Sequence, residues 1–187
     1  MAMPRILPLL LALLAFTAAA ADPGTSNTIA PLATEGGARL PEFTSLPMAD
    51  RALLHKSERR LYLMKNGAVL RSYRVTLGLV PLGTKQRSGD FRTPEGVYQL
   101  TRRNPHSDYF LSIQVSYPNA EDVLRAHRNR WDVGGLIMVH GLPNTLRHSP
   151  EYYASTDWTD GCIALSNSDM VEFWLLSPDN MTIEITP

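Results

Sequence analysis

Residues 60–77 read RLYLMKNGAVLRSYRVTL, and this stretch decides the fold class. Arg60-Leu61-Tyr62-Leu63-Met64 is a short apolar run, Lys65-Asn66-Gly67 supplies the Asn-Gly signal of a tight hairpin, and Ala68 to Leu77 returns as a second strand that stops at Gly78. Working outward, Ala52–His55 before the hairpin and Gly96–Thr101, Leu111–Ser116, Leu136–Val139 and Met181–Ile185 after it read as further strands. Helical signals are few. Glu121–Arg130 reads as a helix or helical loop. Ser166-Asn167-Ser168-Asp169 fits a capping box, Met170, Phe173, Trp174 and Ser177 follow at helical spacing, and Ser177-Pro178 stops the run. The expected fold is therefore mostly β, with one or two short helices, one of them following Cys162. The segment between His140 and Cys162 reads as a polar, exposed loop.

The N-terminus sets the expected compartment. Arg5 is the only charge before Asp22, Ile6–Phe16 is apolar apart from Pro8, and Ala18–Ala21 follow. A basic start, a short apolar core and a small-residue exit describe a secretory signal peptide over residues 1–21, too short to span a bilayer that needs about 20 apolar residues. Export to the periplasm is expected, with no stable membrane insertion after cleavage. Residues 22–49, rich in Ser, Thr, Pro, Gly and Ala, read as a flexible linker, and residues 50–187 as one domain. Lys plus Arg and Asp plus Glu are equal at 18 each, so electrostatic capture of nucleic acid or anionic membrane has no support.

The single cysteine is the sharper clue. An exported chain with one cysteine has no internal disulfide to make, so Cys162 is an inert buried thiol, half of an intermolecular bridge, or a reactive centre. Cys162 closes Thr159-Asp160-Gly161-Cys162 ahead of the capping box, and His140-Gly141 ends an apolar strand. A cysteine at a strand-to-helix transition can expose its sulfur while flanking N–H groups converge on an oxyanion. A nearby helix start and an imidazolium would both lower the thiol pKa, and Cys with His is the minimal nucleophile–base unit. His55, His106, His127 and His148 compete with His140, with His127 and His148 reading as solvated. Zinc is disfavoured, because there is no second cysteine and no tight histidine spacing. No metal and no cofactor are expected.

Taken together, these residues resemble the catalytic domain of the YkuD-type L,D-transpeptidases. Met138–Pro143 and Asp157–Asn167 carry the likeness, with Lys56–Leu61 similar to the family's opening hairpin and Gly89–Tyr98 to its Thr-Pro-x-Gly signature. Ser116–Asp122 is similar to a Gram-negative branch. The resemblance runs in order from about residue 50 to 187 and implies a β-sandwich with the cysteine beside a short helix. It implies Cys162 as nucleophile, His140 as base, the Gly141 backbone carbonyl as the group that orients the imidazole, and the N–H groups of Gly161 and Cys162 as the oxyanion hole.

By the same resemblance the substrates are peptidoglycan tetrapeptide stems. The acyl acceptor is an amine of a second stem or of a lipoprotein, or water in carboxypeptidase, endopeptidase or amidase relatives. A non-catalytic peptidoglycan-binding module is the remaining alternative. Two departures affect the choice: Asp160 stands where the family has histidine, and Ala164 where it has arginine. Substrate contacts are expected from Trp158, Thr159 and Asp160 beside the nucleophile. Arg92 is expected to add a contact from an arginine-bearing rim that would meet stem carboxylates. Thr93-Pro94-Glu95-Gly96 reads as a structural turn. Tyr152 and Tyr153 read as packing either across the cleft or in the core.

Overall fold

A computed structural model describes residues 46–187. The expected signal peptide and most of the expected linker lie outside the described residues. The last residue assigned to the linker, Ala49, belongs to the buried core and donates its N–H to Leu176 O at 2.9 Å, so packing starts one residue before the expected boundary.

The quoted hairpin is β2 (Arg60–Lys65) and β3 (Ala68–Arg74), antiparallel with Lys65 opposite Ala68. Asn66 and Gly67 take φ of 50° and 81°, the left-handed pair that a two-residue hairpin turn needs. Around it stand β1 (Arg51–His55), β4 (Gly96–Ser107), β5 (Phe110–Val115), β6 (Met138–His140), β7 (Ile163–Ala164) and β8 (Met181–Thr186). All eight form one sheet in the order β3-β2-β1-β8-β4-β5-β6-β7. Beyond β3 the chain reaches the far edge strand: Thr76 and Ala164 exchange N–H···O bonds of 3.0 and 2.9 Å. The two edges meet, and the expected sandwich is built as one sheet curled around its core. Leu54, Leu61, Ile113, Ile163, Met170, Phe173 and Ile183 are among the side chains sealed inside.

Among the described residues there are three helices, one more than expected: α1 (Ala120–Asn129), α2 (Pro150–Ser155) and α3 (Asn167–Leu176). The region read as an exposed loop carries α2, capped by Ser149 with Pro150 in its first turn. Six residues are too few to show a helical period, although the Ser-Pro start favours a helix N-terminus. The capping box of α3 is half-realised. Ser166 Oγ accepts from Asp169 N–H at 3.1 Å, and Met170 and Phe173 face the core. The two-residue strand β7 and the polar second half of β4 were not legible as strands. That half of β4 runs through Arg102-Arg103-Asn104-Pro105, with register shifts against β5. Arg103 anchors it by pairing with Asp179 at 2.6 Å and lying over the Trp174 ring.

Candidate active site

β6 and β7 run parallel, with Val139 opposite Ile163 and His140 opposite Ala164. His140 ends β6 and Cys162 immediately precedes β7, so two adjacent parallel strands deliver both side chains to one cleft of about 630 Å³. The segment before the cysteine is pinned at several points. Asp157 accepts from Leu77 N–H at 2.9 Å and pairs with Arg59 at 2.8 Å. Thr159 exchanges backbone bonds with Leu77 and Leu79, both 3.0 Å. Its hydroxyl accepts from Gly161 N–H at 3.1 Å and donates to Cys162 O at 2.8 Å, closing a small clamp over the turn.

Gly161 is required within that clamp. Its φ is +128°, and an added Cβ would lie 2.5 Å from Arg92 O, a backbone atom that cannot swing aside. Gly161→Ala is expected to cost about 2 kcal/mol, the scale of one strained backbone residue, and to displace the thiol. Denaturant unfolding together with an activity assay checks this. Wild-type values in both would refute the requirement.

The imidazole is held by a backbone carbonyl. His140 is 3% exposed, and its Nδ1 lies 2.7 Å from Gly141 O. A carbonyl only accepts, so Nδ1 carries the proton and Nε2 is left as the basic nitrogen. Gly141 is itself fixed: its N–H reaches Tyr109 O and Leu111 O at 3.1 Å, and Asn167 Oδ1 accepts from Leu142 N–H at 2.8 Å. Burial pushes His140 down to about 4, with the Gly141 bond opposing the shift.

The expected low thiol pKa is not what the site shows. Burial pushes Cys162 up and the Asp160 carboxylate adds to this, while a Met138 backbone hydrogen bond and Lys85 pull it down. β7 and the cap Ser166 separate the cysteine from α3, which starts only at Asn167. Sγ points to Leu136 O at 3.6 Å. Burial thus favours the neutral form of both the thiol and the imidazole.

Other expected residues divide. Trp158, Thr159 and Asp160 line the Cys162 cleft, with the Thr159 hydroxyl committed to the clamp. The Gly161 N–H, expected in the oxyanion hole, is taken by Thr159 Oγ1, whereas Cys162 N–H has no protein acceptor among the described residues. Arg92 does not line this cleft. Its side chain faces a separate hollow of about 450 Å³ with Arg87 and Trp131, and its backbone carbonyl abuts Gly161. The turn at Asp90 explains this, since its carboxylate gathers Gln86, Arg87 and Arg92 N–H groups and Lys85, turning the rim away. Of the competing histidines, His106 lines the Cys162 cleft as well.

Sequence reasoning missed Asp108 and Tyr109, at the turn between β4 and β5. Tyr109 lies 4.7 Å from the His140 ring and stacks on Trp158 at 6.0 Å. Nothing in the local sequence marks them, because only the extended second half of β4 carries that turn to the imidazole.

A model of the YkuD family, the L,D-transpeptidase catalytic domain, matches residues 49–185. The Escherichia coli K12 protein named "Putative L,D-transpeptidase YafK" is 40% identical over 94 residues, covering 47% of this chain and 36% of that protein. The match thus spans little more than a third of the curated relative. The helical cell shape determining protein Pgp2 from Campylobacter jejuni superposes with a TM-score of 0.55 at 26% identity, covering 72% of this chain and 46% of that one. An L,D-transpeptidase from Xylanimonas cellulosilytica has the same fold, with a TM-score of 0.51 at 15% identity, covering 78% of this chain and 63% of that one. With a family model matched across nearly all of the described domain, the chain belongs to the L,D-transpeptidase catalytic domain family.

Proposed function

We propose that this chain is a periplasmic cysteine acyltransferase acting on peptidoglycan peptide stems, with Cys162 as nucleophile and His140 as its base. The observation that carries the reading is the imidazole locked through Nδ1 on Gly141 O, which leaves Nε2 free in a cleft shared with Sγ. Substrate entry brings the scissile carbonyl to the thiol. His140 Nε2 takes the Sγ proton as sulfur attacks the carbonyl of the third, diaminopimelate residue of a tetrapeptide stem. Cys162 N–H donates to the developing oxyanion. The C–N bond then breaks, the D-alanine nitrogen takes the proton from Nε2, and a thioester remains. An amine of a second stem attacks the thioester and passes a proton through Nε2 to sulfur, leaving a new amide, a 3→3 cross-link.

Among the described residues the charged side chains lining the cleft are Asp108 and Asp160, with no Lys or Arg, which suits an ammonium-bearing acceptor from a stem or a lipoprotein. Water as acceptor would make the chain a carboxypeptidase. The likeness to Pgp2, a helical cell shape determining protein, supports a part in cell shape.

Intact-mass analysis after incubation with tetrapeptide muropeptides tests the reading. Release of D-alanine, a tripeptide-muropeptide acyl adduct on Cys162 and a cross-linked dimer are expected. Tripeptide without dimer would assign water as acceptor, and absence of both D-alanine and adduct would end the enzymatic reading in favour of a binding module.

A further inference from the structure

Trp158 is a wall common to two clefts. One holds Cys162. The other, about 660 Å³, lies between the Asp108-Tyr109 turn, residues 143–148 and α2. Aromatic rings run through it without a break. His148 meets Tyr152 at 4.3 Å, Tyr152 meets Tyr153 at 5.5 Å, Tyr153 meets Trp158 at 5.1 Å, and Trp158 stacks on Tyr109 at 6.0 Å, next to the His140 ring. The indole Nε1 of Trp158 is buried with no acceptor among the described residues, a donor left unsatisfied in that wall. The Asp108 carboxylate and the Arg147 guanidinium also line the second cleft, and neither is paired with a protein group among the described residues.

Aromatic rings beside an unpaired carboxylate and an unpaired guanidinium suit one ligand chemistry better than others. A pyranose presents a C–H face, which the negative face of an aromatic ring attracts. It is rimmed by hydroxyls that both accept and donate, which Arg147 and Asp108 answer in turn. An extended peptide is instead recognised by main-chain bonds along a strand edge, and the lining here comes from turns and a helix. We propose that this second cleft is a glycan subsite, seating a sugar of the strand that carries the stem being processed. The link between sugar and stem rests on the acyltransferase reading, whereas sugar binding itself does not.

The full chain carrying Cys162→Ala, titrated with peptide-free glycan strands and followed by tryptophan fluorescence and calorimetry, tests binding without turnover. Saturable binding is expected, weakened about tenfold by Tyr152→Ala, the scale of one lost ring contact, and weakened also by Arg147→Ala, which changes an exposed side chain. Free tetrapeptide should not displace the glycan. In turnover by the wild-type chain, disaccharide-tetrapeptide should have about tenfold higher kcat/KM than free tetrapeptide, and Tyr152→Ala should bring that ratio towards one. No glycan binding by the Cys162→Ala chain, while the wild-type chain releases D-alanine, would overturn this proposal alone. Displacement by free tetrapeptide would also overturn it and assign the cleft to a second stem. Binding unchanged by both substitutions would place the sugar elsewhere and overturn it as well.

Discussion

Cys162→Ala should abolish D-alanine release from tetrapeptide muropeptides, and His140→Gln should lower kcat/KM by about 10³-fold, the middle of the range for a positioned general base. Glutamine keeps much of the side-chain bulk and a hydrogen bond to Gly141 O, but it has no basic nitrogen to receive the thiol proton. Burial that favours the neutral form of both groups adds a pH signature. The active protonation state needs His140 unprotonated, so kcat/KM should fall on the acid side only as pH approaches about 4, and it should stay level through neutrality because the thiol is pushed up rather than down. A stable thiolate–imidazolium pair would instead lose activity as its thiolate is protonated and gain alkylation reactivity at neutral pH. Slow iodoacetamide labelling of the unliganded chain is therefore expected here and says nothing against catalysis. An acid limb near the ordinary histidine value, or turnover retained by Cys162→Ala, would overturn the assignment.

Asp160 sharpens that expectation. It lies exposed in the cleft and raises the thiol pKa, opposite to what a histidine at the same position would do when charged. In the proposed mechanism, a site that does not hold its thiolate at rest would rely on His140 to accept the proton as the carbonyl arrives. The same carboxylate, with Asp108, leaves the cleft attractive to an ammonium group.

The parts of the fold that could be read from sequence were those with strong local codes. The Asn66-Gly67 turn requires positive φ at two positions, and the Ser166 cap with Met170 and Phe173 marks a helix through both ends and one face. Cys162 and His140 stood out as candidates because few residue types perform nucleophile–base chemistry. The misplaced residues depended on tertiary structure. Arg92 looked like a rim contact until Asp90 gathered the turn around its own carboxylate, and Gly161 N–H looked like an oxyanion donor until Thr159 Oγ1 took it. Tyr109 had no signal at all, since its position depends on the bulged, polar continuation of β4.

Lys56→Met should destabilise the domain by about 3 kcal/mol, the scale of breaking one member of a buried ion pair. Lys56 is 2% exposed, and its ammonium uses all three donors: Glu95 Oε1 at 2.7 Å, Gly83 O at 2.7 Å and Thr93 O at 3.1 Å. Methionine fills the same space but leaves Glu95, whose side chain is 20% exposed, without its cation, and two carbonyls without donors. The damage should reach the site through the backbone. Thr93 Oγ1 accepts from Gly78 N–H at 3.2 Å, Gly78 pairs with Thr159, and Arg92 O braces Gly161. Urea unfolding should show a lower midpoint with an unchanged slope, and kcat should fall in the fraction that remains folded. Adding Glu95→Leu should recover part of the lost stability by removing the stranded charge, but not the lost bonds to Gly83 and Thr93, so activity should recover less than stability. A loss below about 1 kcal/mol, the scale of a surface ion pair, would show that Thr93-Pro94-Glu95-Gly96 holds its turn without the lysine.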